Sequence, residues 1–490
     1  MMHRTFVSAV LLGTALAASS SVAVAQRGAA GASARAAQDA ATPSAALARE
    51  LLAEMVRART LDTGNTTPLV ESLAQRFRAA GFPAADVMVV GAGPRNRNLV
   101  VRLRGRDTAR QPVLFLAHLD VVDAEPQHWR TDPWTLTERD GMLWGRGVMD
   151  DKGPAATIAA AFLEAKAAGF VPQRDLVMAL TAGEESGVDN GVEWLVANRR
   201  DLVQAEYVVN ADGGGGEMEG NRRIAFNVQA AEKVYLDLTL TVKGPGGHSS
   251  MPDGPNPIER LSNGVARLAR HEFPVNITPV VRSYLAQRAP MAAGDLGQAM
   301  AALGRNPQDY AAARVLSATP TTNALIRTTC ITTLFDAGTA PNAIPASAVA
   351  NVNCRVIPGE RQEHVIEAVR RAIDDPAVEI AVREPMKPSD PSLMGAELRG
   401  VLEATVAELY GRLPVIPYME MGATDGIYLR NAGIPVFGII GLFAVNDLLG
   451  TIHGNDERIP VTAYNQSAEF MRQLVRRLGA TAGAPRAPQR

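Results

Sequence analysis

Five side chains of this 490-residue chain, His118, Asp150, Glu185, Asp212 and His453, are of the types that hold divalent cations through imidazole nitrogen and carboxylate oxygen. Their surroundings give the set meaning. The apolar run Val113-Leu114-Phe115-Leu116-Ala117 breaks directly into His118-Leu119-Asp120, and Asp175 to Thr181 runs into Ala182-Gly183-Glu184-Glu185-Ser186-Gly187. Tyr207-Val208-Val209-Asn210 then ends at Ala211-Asp212. Three apolar runs that each finish in an acidic or imidazole side chain put those groups at one edge of one sheet. Gly145-Arg146-Gly147-Val148-Met149-Asp150-Asp151-Lys152-Gly153 adds a glycine-flanked acidic turn. Two cations held ~3.5–4 Å apart need at least one shared carboxylate to offset their repulsion. Two imidazoles and three carboxylates meet that need, so the expected chemistry is hydrolysis at a two-zinc site.

Glu184 and Glu185 are adjacent, and neighbours on a helix point apart. At a strand-to-loop junction one can bind metal while the other takes a proton from the activated water and returns it to a leaving amine. Asp120 stands two residues from His118, placed to hold the second imidazole nitrogen. Taken singly, each has an ordinary explanation: a hydrogen-bonding histidine, an exposed acidic pair, a loop-capping aspartate. Their coincidence carries the argument.

The elements that must position these groups follow from periodicity. Ser44 to Met55 and Thr67 to Ala80 read as helices, the second ending at Gly81, and Asn98 to Arg104 and Val113 to Ala117 read as strands. Ala155 to Ala168 and Val192 to Asn198 are helical. At Glu232 the pattern changes: a strand Val234 to Lys243, a helix Pro257 to Arg270, strands Leu325 to Phe335 and Ala348 to Val356, a helix Gln362 to Ile373 and a strand Val378 to Val382. This βαββαβ order describes a separate ferredoxin-like α+β domain, with an extra segment, 281–320, expected as two short helices. From Ser389 the α/β character returns, with a helix Glu397 to Leu409, the loop Met421 to Asp425, a strand Pro435 to Ile440 and a last helix Val461 to Leu478.

The expected division is a signal peptide over 1–25, a disordered lead over 26–43, a catalytic domain in two parts, 44–231 and 386–480, a lid or dimerisation domain over 232–385 between them, and a tail over 481–490. The first segment has His3 and Arg4, an apolar run too short to span a bilayer, and Ala23-Val24-Ala25 as a cleavage site. Export to a bacterial periplasm or medium follows, with no membrane anchor after cleavage. A net charge of -2 gives no footprint for nucleic acid. Cys330 and Cys354 are too few for a cysteine zinc site; they flank a hairpin centred near Asn342, which leaves a cross-strand bridge or two buried thiols.

Together these motifs resemble one family. His118-x-Asp120, Gly145-Arg146-Gly147 running into Asp150-Asp151-Lys152-Gly153, Glu184-Glu185, Asp212, Gly246-Gly247-His248-Ser249, Pro341-Asn342-Ala343-Ile344-Pro345, Arg355 before Pro358-Gly359, and His453-Gly454-Asn455-Asp456-Glu457-Arg458 occur in the order found in the dizinc metallopeptidase family of aminoacylase, carboxypeptidase G, carnosinase, acetylornithine deacetylase and succinyl-diaminopimelate desuccinylase. The resemblance spans about residues 44–480. It implies a zinc-exopeptidase-like α/β domain with a central mixed sheet flanked by helices, interrupted by the lid. It further implies that His118 and Asp212 hold one zinc, Glu185 and His453 the other, and Asp150, followed by a cis peptide, bridges them; cobalt or manganese are substitutes. Glu184 would be the general base, Asp120 the orienter of His118, and His248, on the lid of the same or a partner subunit, the group that stabilises the oxyanion. Asn342 and Arg355 would grip substrate.

The expected activity is hydrolysis of a peptide or amide bond near a free terminus, as an exopeptidase or dipeptidase of carboxypeptidase type. Deacylation of an N-acyl amino acid is the alternative within the same chemistry. A serine hydrolase is disfavoured because Met251 stands where the Gly-x-Ser-x-Gly elbow needs its last glycine. A metal-free peptide-binding protein is the remaining alternative, and it is disfavoured because all five ligands are present together with Glu184.

Overall fold

The computed structural model describes residues 42–61, 65–252, 254–443 and 446–483. The expected signal peptide, nearly all of the lead and most of the tail lie outside them. Val113–His118 is buried at every position and alternates its side chains between two cores. Val113, Phe115 and Ala117 enter one with the helices Pro43–Arg57, Lys152–Ala167 and Val461–Ala480. Leu114 and Leu116 enter the other with Val192 and Leu195 of Gly191–Asn198 and Leu429 of Gly426–Asn431. A strand covered on both faces has no solvent side, which is why its sequence is apolar throughout.

That strand lies within a nine-stranded mixed sheet. Its spatial order is Val87–Gly91, Arg97–Leu103, Leu176–Thr181, Val113–His118, Tyr207–Asn210, Val436–Gly438, Arg222–Glu232 and Val415–Glu420, with Gly215–Glu219 pairing Arg222–Glu232. Val113–His118 runs parallel to both Leu176–Thr181 and Tyr207–Asn210, with His118 opposite Thr181 and Leu116 opposite Asn210. The three carboxyl ends are therefore nearly level. Two members, Arg222–Glu232 and Val415–Glu420, have weak strand signals: the first carries Gln229-Ala230-Ala231, and the second contains Pro417. Proline is tolerated there because Val415–Glu420 is an edge.

The second domain is a four-stranded antiparallel sheet, ordered Thr329–Ala337, Ser347–Val356, Val234–Lys243 and Glu379–Glu384. Its own core takes in Leu261 and Leu268 of Pro257–Leu268 and Val365, Val369 and Ile373 of Gln362–Ile373. The sequence places a strand from Leu325. Instead, Pro320–Ile326 is a helix, started by Thr319, whose hydroxyl accepts from the Thr322 N–H, and the strand begins at Thr329. Segment 281–320, expected as two short helices, holds Pro279–Arg288, Gly294–Arg305 and Tyr310–Leu316. Val281, Leu285, Leu303 and Leu316 of this segment join the core of the catalytic sheet, not that of the lid. Pro279–Arg288 lies against the edge strand Val415–Glu420, and Arg288 pairs with Glu217 at 2.6 Å. No helix of the described residues is long and apolar enough to cross a membrane.

Cys330 and Cys354 face each other across Thr329–Ala337 and Ser347–Val356 and are bridged, which resolves the two readings in favour of a disulfide. The bridge closes a 24-residue separation, a constraint on the unfolded chain worth about 3 kcal/mol. Replacing both cysteines by serine should lower the denaturant midpoint of the lid domain accordingly; an unchanged midpoint would remove the bridge from its stabilisation.

Candidate active site

The level strand ends bring the expected residues together. His118 is the last residue of its strand, Glu184 and Glu185 follow Thr181 after a turn, and Asp212 stands two residues beyond Asn210. The turn requires Gly183: its φ is +78°, and a Cβ there would lie 2.5 Å from the Val188 carbonyl oxygen. Asp150 arrives from the glycine-flanked turn and is joined to Asp151 by a cis peptide, as the family resemblance implies. His453 enters from the far end of the chain, with φ +59°.

Asp150 stands between the two imidazoles. Its Oδ1 lies 2.9 Å from His118 Nε2, and its Oδ2 lies 3.0 Å from His453 Nε2. His453 Nε2 is also 3.1 Å from a Glu185 oxygen. Ligand atoms of His118, Asp150 and Glu185 fall within 4.8 Å of one another. The other ring nitrogen of His118, Nδ1, is 3.1 Å from the Asp120 backbone carbonyl and 3.7 Å from its carboxylate. The Asp120 carboxylate instead accepts the Glu185 N–H at 2.9 Å. Asp120 thus steadies two cluster members, with its carbonyl as the nearer partner of the ring. Asp212 makes no hydrogen bond to the cluster and is felt there through its charge.

The electrostatics are those of crowded carboxylates. Burial, reinforced by the neighbouring negative charges, pushes Glu184 and Asp212 well above the usual carboxylate range. Asp150 is also largely desolvated, but its hydrogen bonds to and charge attraction with His118 and His453 outweigh that and hold it below the range. Hydrogen bonds to Asp150 and then Glu185 lift His453 to about 10. Among the described residues the orphaned buried oxygens Asp120 Oδ1, Asp151 Oδ1 and Asp425 Oδ2 stand in the same region. So dense a set of oxygen and imidazole donors fits hard or borderline divalent cations, which would neutralise it.

A buried pair with no assigned task in the motifs anchors both the Asp150 turn and the His453 loop. Glu457, fully buried, accepts the N–H groups of Gly147, Met149 and Asp150 at 2.8, 2.7 and 3.2 Å and the Arg146 guanidinium at 2.9 Å. Arg146 in turn donates to the Gly454 carbonyl, beside His453, at 2.7 Å. The residues were visible in their motifs; the contact spans 311 positions and leaves no local signal. Buried Lys152 braces the same turn by donating to the Ala58 carbonyl at 2.7 Å.

A cavity of about 450 Å³ opens over Glu184, Glu185 and His453. Arg355 lines it from the lid with its guanidinium over the Tyr235 ring at 4.9 Å, and among the described residues it forms no ion pair. Lys387 and Asp425 line it from the catalytic side. His248 and Asn342 do not. They lie together on the lid, where Gly247–His248 pairs with Ala343–Ile344 and the Ser249 N–H meets the Asn342 carbonyl at 3.1 Å. Both are exposed.

A mixed sheet that gathers two histidines and several carboxylates at its strand ends, under a small antiparallel lid, defines a metal-dependent hydrolase. The chain belongs to peptidase family M20/M25/M40, whose model matches residues 114–477. It is 29% identical over 390 residues, 76% of this chain and 75% of the other, to the human N-fatty-acyl-amino acid synthase/hydrolase PM20D1. Among solved structures it resembles an M20 family metallo-carboxypeptidase from Sulfolobus solfataricus, with TM-score 0.67 and 18% identity over 88% of this chain and 99% of that one. It also resembles human carnosine dipeptidase 1, with TM-score 0.64 and 16% identity over 88% and 96%. A dinuclear metal-binding M20 peptidase from Bacillus subtilis shares the fold, with TM-score 0.53 and 12% identity over 89% and 98%. The protein is accordingly a hydrolase of amide or peptide bonds.

Glu457→Ala strands the buried Arg146 guanidinium and frees three N–H groups, so it should cost about 3–5 kcal/mol of stability. Denaturant titration of the metal-free protein checks this, and a change below 1 kcal/mol would contradict the anchoring role.

Proposed function

We propose that this protein is a dizinc hydrolase that cleaves an amide bond whose leaving amine is an amino acid with a free carboxylate. The observation that carries the proposal is Asp150, held between His118 and His453 with Glu185 beside it and Glu184 facing the same cavity. In this reading His118 and Asp212 would hold one zinc, Glu185 and His453 the other, and Asp150 would bridge them. Such a pair supplies Lewis-acid polarisation of the scissile carbonyl and lowers the pKa of water to about 7; cobalt or manganese would serve the same donors.

The chain's own residues do the rest. Glu184 accepts the proton of the attacking water and returns it to the departing nitrogen. Asp120 fixes the His118 ring through Nδ1. Arg355, unpaired and stacked on Tyr235, presents a fork to the substrate carboxylate. That requirement unites the two substrate classes suggested by the relatives, since C-terminal peptide bonds and N-acyl amino acids both release an amino acid with a free carboxylate. Exopeptidase or dipeptidase action is the first expectation. Deacylation is favoured by the likeness to the human N-fatty-acyl-amino acid hydrolase.

The lid supports a homodimer. Thr329–Ala337 is one of the two edges of its sheet and exposes Ile331, Leu334 and Phe335 at 68%, 60% and 43%. His248 and Asn342, absent from their own cleft, would complete that of a partner, His248 as the oxyanion donor. Export is supported by the disulfide, which persists in oxidising compartments.

A panel of dipeptides and N-acyl amino acids assayed with zinc tests the activity; cleavage of neither class overturns it. Glu184→Ala should retain metal while kcat falls about 10²- to 10⁴-fold, and undiminished turnover would remove Glu184 from the reaction. Co-expressed Glu184→Ala and His248→Ala chains should regain activity, since a hybrid dimer carries one intact site. Absence of recovery would contradict donation of His248 between subunits.

A further inference from the structure

Apart from the passages that carry segment 281–320 onto the catalytic core, two stretches among the described residues join the lid to the catalytic domain. One is the passage from Arg222–Glu232 through Lys233 into Val234–Lys243; the other returns from Glu379–Glu384 through Pro385 to Ser392. A single buried ion pair, Glu232 with Arg430, sits where both cross. The Arg430 guanidinium donates to Glu232 on the first crossing and, through Nε at 3.2 Å, to Ser389 Oγ on the second. Glu232 is 2% exposed and Arg430 9%. Backbone bonds support the same junction: Lys233 N–H to the Glu420 carbonyl at 2.9 Å, and Ser392 N–H to the Ala230 carbonyl at 2.7 Å.

The pair also reaches the cleft. A Glu232 carboxylate oxygen accepts both the backbone N–H of Thr424, at 3.0 Å, and its hydroxyl, at 2.9 Å. Thr424 and its neighbour Asp425 line the cavity over Glu184. Asp425 accepts from Asn190 Nδ2 at 2.6 Å, and the same nitrogen donates to the Gly183 carbonyl at 3.2 Å. Hydrogen bonds, joined through the Thr424–Asp425 peptide link, thus connect the interdomain crossings, by way of the cleft wall, to the turn that carries Glu184. Burying a charge pair is costly, and an apolar pair of the same volume is often as stable or more so, so the pair's contacts to both crossings, rather than stability alone, suggest its role.

We propose that Glu232 and Arg430 form a positioning pair that sets the attitude of the lid and, through Thr424, Asp425 and Asn190, ties it to the cleft wall and the Glu184 turn. The inference rests on the proposed site for its consequence in turnover, but not for its mechanics. The two residues touch neither substrate nor reacting atoms. They hold the wall against which substrate binds, and both crossings move with them.

The test uses the full-length, metal-loaded protein with Arg430→Met, Arg430→Lys and the double variant Glu232→Leu/Arg430→Leu. Hydrogen exchange read by mass spectrometry should accelerate at least 10-fold in Arg430→Met at both 385–392 and 421–426, while the lid strand 347–356 stays at the wild-type rate. Metal content should remain that of wild type. kcat should fall at least 10-fold with a rise in KM, and Arg430→Lys should restore part of both. Should Arg430→Met not fold, the double leucine variant, which keeps the core filled and unpairs no charge, should fold and show the same paired acceleration. Wild-type exchange in both segments of a folded variant overturns the proposal, as does a loss of turnover that merely follows loss of metal. If the wild type cleaves no amide, the proposed function fails on its own, and the exchange data alone still decide this one.

Discussion

The fold has to bring like charges together. His118 and Asp212 come from neighbouring parallel strands, Glu184 and Glu185 from a third, and Asp150 from a turn, so several carboxylates share one sheet edge whose burial pushes Glu184 and Asp212 toward protonation. Such an arrangement is unfavourable without compensating positive charge. Imidazoles supply part of it in the structure, and divalent cations would supply the rest. Much of the surrounding architecture serves to hold these groups against their mutual repulsion.

Two buried ion pairs do this at different scales. Arg146 with Glu457 pins the Asp150 turn to the loop that carries His453, so the two halves of the imidazole and carboxylate cluster, far apart in sequence, share one anchor. Glu232 with Arg430 acts one level up, where the chain passes between domains. The helical segment that follows the first lid helix adds a further constraint. It leaves the lid in sequence but buries its leucines in the catalytic core and covers the edge strand Val415–Glu420, so the lid is tethered at its side as well as at its crossings.

The clustered histidine and carboxylates were legible in the sequence because each sits at a place where a period breaks: an apolar run ending in His118, a glycine turn before Glu184, a glycine-flanked acidic turn around Asp150. The βαββαβ order of the lid was legible for the same reason. What escaped was non-local or masked by composition. Glu457 and Glu232 find their partners 311 and 198 positions away, and nothing near either residue announces it. Arg222–Glu232 was hidden by its alanines and glutamine, and Val415–Glu420 by a proline that only an edge position makes tolerable. His248 and Asn342 were identified by motif, yet their place outside the cleft of their own chain could emerge only from the arrangement of the lid.

The proposed chemistry requires Asp150 to serve as the shared carboxylate of a two-cation site. Zinc titration of the metal-free protein, followed by calorimetry and elemental analysis, measures this directly for wild type and Asp150→Asn. Two zinc ions per wild-type chain, and loss of both from the Asp150→Asn chain while it remains folded, is the predicted result. A wild-type chain that takes up no zinc, or an Asp150→Asn chain that still binds two with undiminished affinity, would contradict it.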